Sequence, residues 1–239
     1  MKKLAAGTEK LGVTLTPVQL EQFEVYCREM LDWNSRINLT SITGYEEVQV
    51  KHFLDSLTIV PVMGQAFSGE DLSVIDVGTG AGMPGLPLKI LFPDIRLTLL
   101  DATAKKTDFL HYIVSTLKLT NVNIVTARAE ETAHRREYRE SYDVVLSRAV
   151  APLATLTELT LPFCSIGGKC IFPKKGDITR ELDDAEKAIQ VLGGVLRQTR
   201  EIELEELPDE RRLVIIEKSF ATPHKYPRRP GIPEKRPIK

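Results

Sequence analysis

The chain has 239 residues, 42% of them hydrophobic and 27% charged, with a formal net charge of −1 at pH 7. A chain of this size buries a full core without staples, and its near-neutral balance does not announce a nucleic-acid binder. It has no apolar run long enough to span a membrane and no signal-peptide core at its N-terminus, so a cytoplasmic location is expected. Cys27, Cys164 and Cys170 show no metal-ligand spacing, and the histidines are scattered, so no metal and no disulfide framework are expected.

Residues 17–33 predict an amphipathic helix. Thr16 suits its N-cap and Pro17 its first position, and Leu20, Phe23, Cys27, Met30 and Leu31 share a face. Trp33, at its end, is read as a core residue rather than a base-stacking one. A second helix is predicted over 45–60, with Val48, His52 and Leu57 inward, followed by a loop at "GQAFSGED". Residues 1–70 thus read as a helical appendage.

From residue 72 the pattern alternates. Strands are predicted at 72–77, 96–101, 122–127, 142–147 and 167–173. Helices fall between them, the first opening at Pro84 and later ones at 104–118, 152–164 and 178–192. Two final strands, near 195–204 and 211–218, have no helix between them and should pair antiparallel. The expected fold is α/β: a Rossmann-like, doubly wound, seven-stranded sheet, mostly parallel with an antiparallel C-terminal strand, spanning 71–220. Its ligand belongs at the carboxyl ends of strands 1 and 4, where the strand order reverses.

Residues 221–239 form a basic, proline-rich tail. Lys225, Arg228, Arg229, Lys235, Arg236 and Lys239 stand against Glu234 alone. Such a tail suits phosphate contacts, and equally a solvated end.

The stretch "VIDVGTGAGMPG" at 74–85 carries the most information. Glycines let backbone approach a ligand, and the following helix offers free N–H groups. Asp101 ends strand 2, where a carboxylate can accept from both ribose hydroxyls. A dinucleotide and a nucleoside ligand both fit to this point. Three features separate them. Asp76, at the tip of strand 1, repels pyrophosphate and attracts ammonium. The sheet uses the chain up to 219, leaving no substrate domain for a dehydrogenase. No phosphate-loop motif is present. An adenosine with a positive charge and an amino-acid end fits best, which describes S-adenosylmethionine.

"DVGTGAGMPG" with "LTLLDATAKK" resembles class I methyltransferases. "NLTSIT", "HFLDS", "GAGMPGLPLKI", "LLDATAKKTDFL", "ARAE", "SRAVAPL" and "YPRRPGIPEKRPI" narrow this to a resemblance to the bacterial small-subunit rRNA guanine-N7 methyltransferases, formerly glucose-inhibited division protein B. The resemblance spans nearly the whole chain. Met83 stands where an aromatic residue is common in that family. The implied activity is methylation of guanine N7 in the 530 loop of 16S rRNA, with 16S rRNA or a small-subunit precursor as partner and no obligate protein partner. The expected cofactor residues are Asp76, Gly78, Gly80, Gly82, Met83, Asp101, Ala129, Glu130 and Arg148. The resemblance places Ala129–Glu130 against adenine, gives Arg148 a positioning role and gives His52 and Asp55 a role near substrate. Lys105, Lys106, Arg228, Arg229, Lys235 and Arg236 are RNA-binding candidates, and loss of 222–239 is expected to weaken RNA binding but not cofactor binding.

The missing motifs agree with this chemistry. "SRAV" replaces the Asn/Asp-Pro-Pro-aromatic stretch usual in amino-group methylation, and no cysteine is placed for carbon-5 attack. Guanine N7 has a free in-plane lone pair, so no general base is nominated and a flat rate profile is expected between about pH 6 and 9. A non-catalytic ribosome-binding protein on the same fold, and a small-molecule methyltransferase, are the alternatives.

Overall fold

The computed structural model describes residues 1–62, 71–207 and 209–239. The loop expected at "GQAFSGED" falls, but for Asp71, outside the described residues. Seven strands form one sheet in the order β3-β2-β1-β4-β5-β7-β6. They are β1 (Ser73–Val77), β2 (Arg96–Asp101), β3 (Val122–Thr126), β4 (Tyr142–Leu146), β5 (Cys164–Lys175), β6 (Gly194–Ile202) and β7 (Arg211–Lys218). β1 pairs in parallel with both β2 and β4, so the order reverses at β1 as the sequence predicts. β7 runs antiparallel to both β5 and β6.

The apolar runs of β1 and β4 are buried on both faces because helices cover both. One core layer joins the N-terminal helices to the helices that follow β1 and β2. The other lies under those flanking β5.

In chain order the helices before the sheet include α1 (Lys2–Lys10), α2 (Pro17–Ile37), α3 (Tyr45–Val48) and α4 (Asp55–Leu57). Thr16 caps α2 with Gln19 in a reciprocal box, and Pro17 stands at its first turn. The Gln19 side chain also donates to the carbonyls of Ile90 and Leu91 at 3.0 and 3.2 Å. This docks the appendage onto α5 (Gly85–Leu91), the helix after the glycine loop. Between α3 and α4, Gln49–Leu54 form a π-helical turn within the helix expected over 45–60.

Three boundaries differ from expectation. α1 was missed. α2 runs to Ile37. The helix expected over 152–164 is α8 (Leu153–Thr160) and a 3-10 turn, after which β5 already begins at Cys164. The apolar run through 161–164 suits strand and helix alike, and pairing of Tyr142 with Cys164 decides it.

The tail is ordered. It ends in a short helix, α10 (Ile232–Lys235), packed on α8. The other helices are α6 (Ala104–Thr116), α7 (Ala129–Thr132) and α9 (Thr179–Val191).

Candidate active site

The glycine loop leaves β1 at Gly78, which has a φ of 70°. A Cβ there would lie 2.6 Å from Val150 Cγ2, so the loop after β4 presses directly on it. Asp76 organises the loop from inside. It is 0% exposed, and its Oδ2 accepts from the Thr79 hydroxyl at 2.6 Å and the Gly85 N–H at 2.9 Å. Its Oδ1 is buried with no hydrogen-bond partner. Burial pushes the Asp76 carboxyl up to about 6, against the bonds from Thr79 and Gly85. Asp101, at the end of β2, accepts from the Gly80 N–H and the Thr103 N–H, both at 2.9 Å.

A cavity of ≈ 240 Å³ opens at the carboxyl ends of β1, β2 and β3. Gly78, Asp101, Ala129 and Glu130 line it, together with Leu100, Ala127, Val150 and Leu159. Its far side comes from the tail: Gly231, Pro233 and Glu234. The Gly231 N–H donates to Glu130 Oε1 at 3.1 Å.

A second cavity, ≈ 270 Å³, opens at the carboxyl ends of β4 and β5. Lys51, His52 and Asp55 line it from the π-turn region, Arg148 and Ala149 from the loop after β4, Lys174 and Lys175 from β5, and Arg211 from β7. Four residues, 148–151, separate the cavities. Arg148 and Ala149 face one, Val150 and Ala151 the other.

The second cavity is built around one carboxylate. Asp55 is 3% exposed and bonds Arg148 Nη1 through Oδ2 at 2.8 Å and Arg211 Nε through Oδ1. Arg148 Nη2 donates to His52 Nδ1 at 3.2 Å, so the other ring nitrogen, Nε2, carries the proton it shares with Thr40 Oγ1 at 2.7 Å. Burial, and then the Arg148 charge, lower the His52 imidazole to about 4. It is neutral at pH 7. Arg211 Nη2 is buried without a hydrogen-bond partner. With two arginines against one carboxylate, and lysines at the rim, the cavity suits an anion or an acceptor-rich base.

A profile described as "rRNA small subunit methyltransferase G", the GidB family, matches residues 19–213. Ribosomal RNA small subunit methyltransferase G of Dehalococcoides mccartyi strain BAV1 is 53% identical over 238 residues, covering 100% of both chains. Its counterpart from Lachnoclostridium phytofermentans is 45% identical, covering 97% of this chain and 95% of its own. This chain belongs to the rRNA small subunit methyltransferase G family. Among solved structures, ribosomal protein L11 methylase from Lactobacillus delbrueckii subsp. bulgaricus superposes with a TM-score of 0.52 at 13% identity, covering 71% of this chain and 79% of its own. TYW2 from M. jannaschii, solved in complex with AdoMet, gives 0.50 at 17% identity, covering 69% and 76%. These likenesses show the Rossmann-like methyltransferase fold.

The methyltransferase sorts its sequence-predicted residues between the two cavities. Gly78, Asp101, Ala129 and Glu130 converge on the first. Asp76, Gly80 and Gly82 shape the loop behind it rather than line it. Arg148, expected among the cofactor residues, lines the second cavity, because Asp55 and His52 draw its guanidinium across the ridge. Met83 is buried beside Tyr26 and Ser56, with its Sδ 4.0 and 3.7 Å from their hydroxyl oxygens. Trp33 packs against Phe109 and Tyr112.

Among the RNA candidates, Lys105, Arg229, Lys235 and Arg236 are exposed. Lys106 Nζ lies 3.9 Å from Asp101 Oδ2. Arg228 is not a free cation: it forms a bidentate ion pair with Glu158, which is 0% exposed. The tail is correspondingly part of the first cavity, which Gly231, Pro233 and Glu234 line. Lys51, Lys174, Lys175 and Arg211 were missed. "FPKKGD" closes a strand adjacent to β4, and the carboxyl-end rule could have flagged it. Among the described residues no group of acidic, histidine or cysteine side chains could hold a metal ion. No helix among them is long and apolar enough to cross a membrane.

Proposed function

We propose that this chain methylates N7 of a guanine in the 530 loop of 16S rRNA, with S-adenosylmethionine as donor. The observation that carries the reading is the pair of cavities on the carboxyl edge, meeting at the ridge 148–151. One cavity has the glycine loop and a strand-end carboxylate. The other is basic and acceptor-seeking.

The residues present fit the cofactor. Each Asp101 oxygen accepts one bond and keeps a lone pair for a ribose hydroxyl. Asp76, buried behind the cavity, fixes the glycine loop that faces the cofactor through its bonds to Thr79 and Gly85. Ala127, Ala129 and Leu100 offer an apolar bed for adenine. When bound, S-adenosylmethionine supplies a methyl group on a positively charged sulfur. TYW2, of the same fold, is solved with that cofactor.

The chain's own work is placement. Guanine N7 needs no deprotonation, so the residues orient the base and exclude water. Both nitrogens of His52 are engaged, by Arg148 and Thr40, which leaves it no role as a base. Arg148 and Arg211, anchored on Asp55, present N–H groups to the acceptors of a guanine nucleotide. A flipped-out loop purine can reach such a site.

Borohydride–aniline cleavage of 16S rRNA tests this. RNA from cells lacking the protein should be uncut in the 530 loop and should become cleavable after incubation with the protein and S-adenosylmethionine. Cleavage that is unchanged by the protein overturns the reading.

A further inference from the structure

We propose that residues 226–236 form the outer wall of the adenosine compartment, and that the Arg228–Glu158 ion pair is the latch that sets how tightly S-adenosylmethionine is held. The inference rests on the first cavity being the cofactor site.

Gly231, Pro233 and Glu234 line that cavity opposite Asp101, although more than a hundred residues separate them in the chain. At its start, the Tyr226 carbonyl accepts from Arg139 at 3.0 Å and the Pro227 carbonyl lies 2.8 Å from His134 Nε2, and three further fastenings tie the wall to α7 and α8. Arg228 Nε and Nη2 reach Glu158 Oε1 and Oε2 at 2.9 and 2.6 Å, and the Arg228 N–H adds a bond of 2.8 Å to Oε1. The Thr155 hydroxyl donates to the Pro233 carbonyl at 3.1 Å. The Gly231 N–H donates to Glu130, itself a cavity residue.

Arg228 also closes the segment on itself, since Nη2 donates to the Arg236 carbonyl at 2.7 Å. Pro227, Pro230 and Pro233 stiffen it, and Gly231 turns it with a φ of 78°. Glu158 is the reason the latch is strong. Its carboxylate is fully buried on α8, and removing Arg228 would leave that charge without a cation. The wall and its latch therefore move together. If the wall swings away, one side of the cavity opens to water and bound adenosine loses its cover.

Calorimetry with full-length protein tests this, using S-adenosylmethionine and S-adenosylhomocysteine as ligands and Arg228→Ala, Thr155→Val and Asp101→Ala as variants. Urea unfolding checks that each is folded. Arg228→Ala should weaken both ligands about tenfold, and Thr155→Val severalfold, with a faster ligand off-rate. Wild-type affinity in both wall variants, with binding lost in Asp101→Ala, overturns the wall alone. No binding by the wild type overturns the cofactor assignment and the wall with it. Should Arg228→Ala fail to fold, Thr155→Val decides, because it removes only a hydroxyl.

Discussion

The hydroxyl of Tyr26 donates to the carbonyl of Ala81, so the middle of α2 holds the glycine loop from below. The Tyr26 ring is fully buried and stacks near Phe53 and Phe109. A Cβ on Gly82 would fall 2.6 Å from that hydroxyl, at a φ of 96°. The appendage is thus part of the loop's scaffold. Tyr26→Phe keeps the packing and removes one bond, so urea unfolding should show a loss of about 1 kcal/mol. Calorimetry should show weaker S-adenosylmethionine binding, because the loop loses a fixed point. Unchanged affinity would mean that the loop holds its shape alone.

Asp76 makes a pH prediction with a definite sign. Its folded carboxyl is raised to about 6 from an ordinary value near 3.8. The folded state then binds more protons than the unfolded one between those values, and stability falls as pH rises through them. Asp76→Asn removes the titration. Its stability relative to wild type should improve by roughly 3 kcal/mol between pH 3.5 and pH 7, whatever the constant offset from the new amide. Cofactor binding should move the other way. Asp76 acts through the loop it shapes, and its ionised carboxylate accepts from Thr79 and Gly85 most strongly, so wild-type affinity should strengthen as pH rises through about 6, and the Asn variant should bind poorly at every pH. Parallel pH series of urea unfolding and calorimetry measure both.

The features readable from sequence were local. The glycine loop and Asp101 follow their strands directly, so spacing alone locates them at the carboxyl edge. Arg211 was opaque because its position depends on pairing: β7 runs antiparallel to β5, with Arg211 opposite Lys175, and only that register brings the start of β7 to the active edge. The packing of the tail was opaque because its prolines and arginines resemble a solvated end. Its partner, Glu158, stands 70 residues away. A signal did exist, since a glutamate inside the apolar run "LATLTELTLPF" must find a cation when buried.

Arg148 should separate the two ligands. It lies across the ridge from the first cavity, and its bonds go to Asp55 and His52. Arg148→Lys keeps a charge but loses the planar fork that meets both partners. Methyl transfer to 16S rRNA should fall by about a hundredfold or more, while S-adenosylmethionine affinity stays within about twofold of wild type. A filter assay with tritiated cofactor, beside calorimetry, reads the two effects. Equal losses in both would place Arg148 in the cofactor site.

The pH–rate profile should be level in kcat from about pH 7 to 9. His52, lowered to about 4, stays neutral throughout. A limb near pH 6 should appear only at subsaturating S-adenosylmethionine, where Asp76 governs binding. A limb in kcat near pH 7 would reveal a proton transfer that guanine N7 does not require.

RNA binding should depend on salt through cations that have no committed internal partner. Lys175 is 61% exposed and only 3.5 Å from the exposed Asp209, a weak surface pair. Arg229 is exposed on the outer side of the tail. Each phosphate contact to single-stranded RNA contributes about 0.7 to the slope of log K against log salt. Lys175→Ala and Arg229→Ala should each lower that slope by about this amount, and Lys175→Ala, outside the first cavity, should leave cofactor affinity unaltered. Fluorescence anisotropy with a 530-loop fragment across a salt series measures it. A slope that neither variant changes would move the RNA path off this edge of the sheet and away from the second cavity.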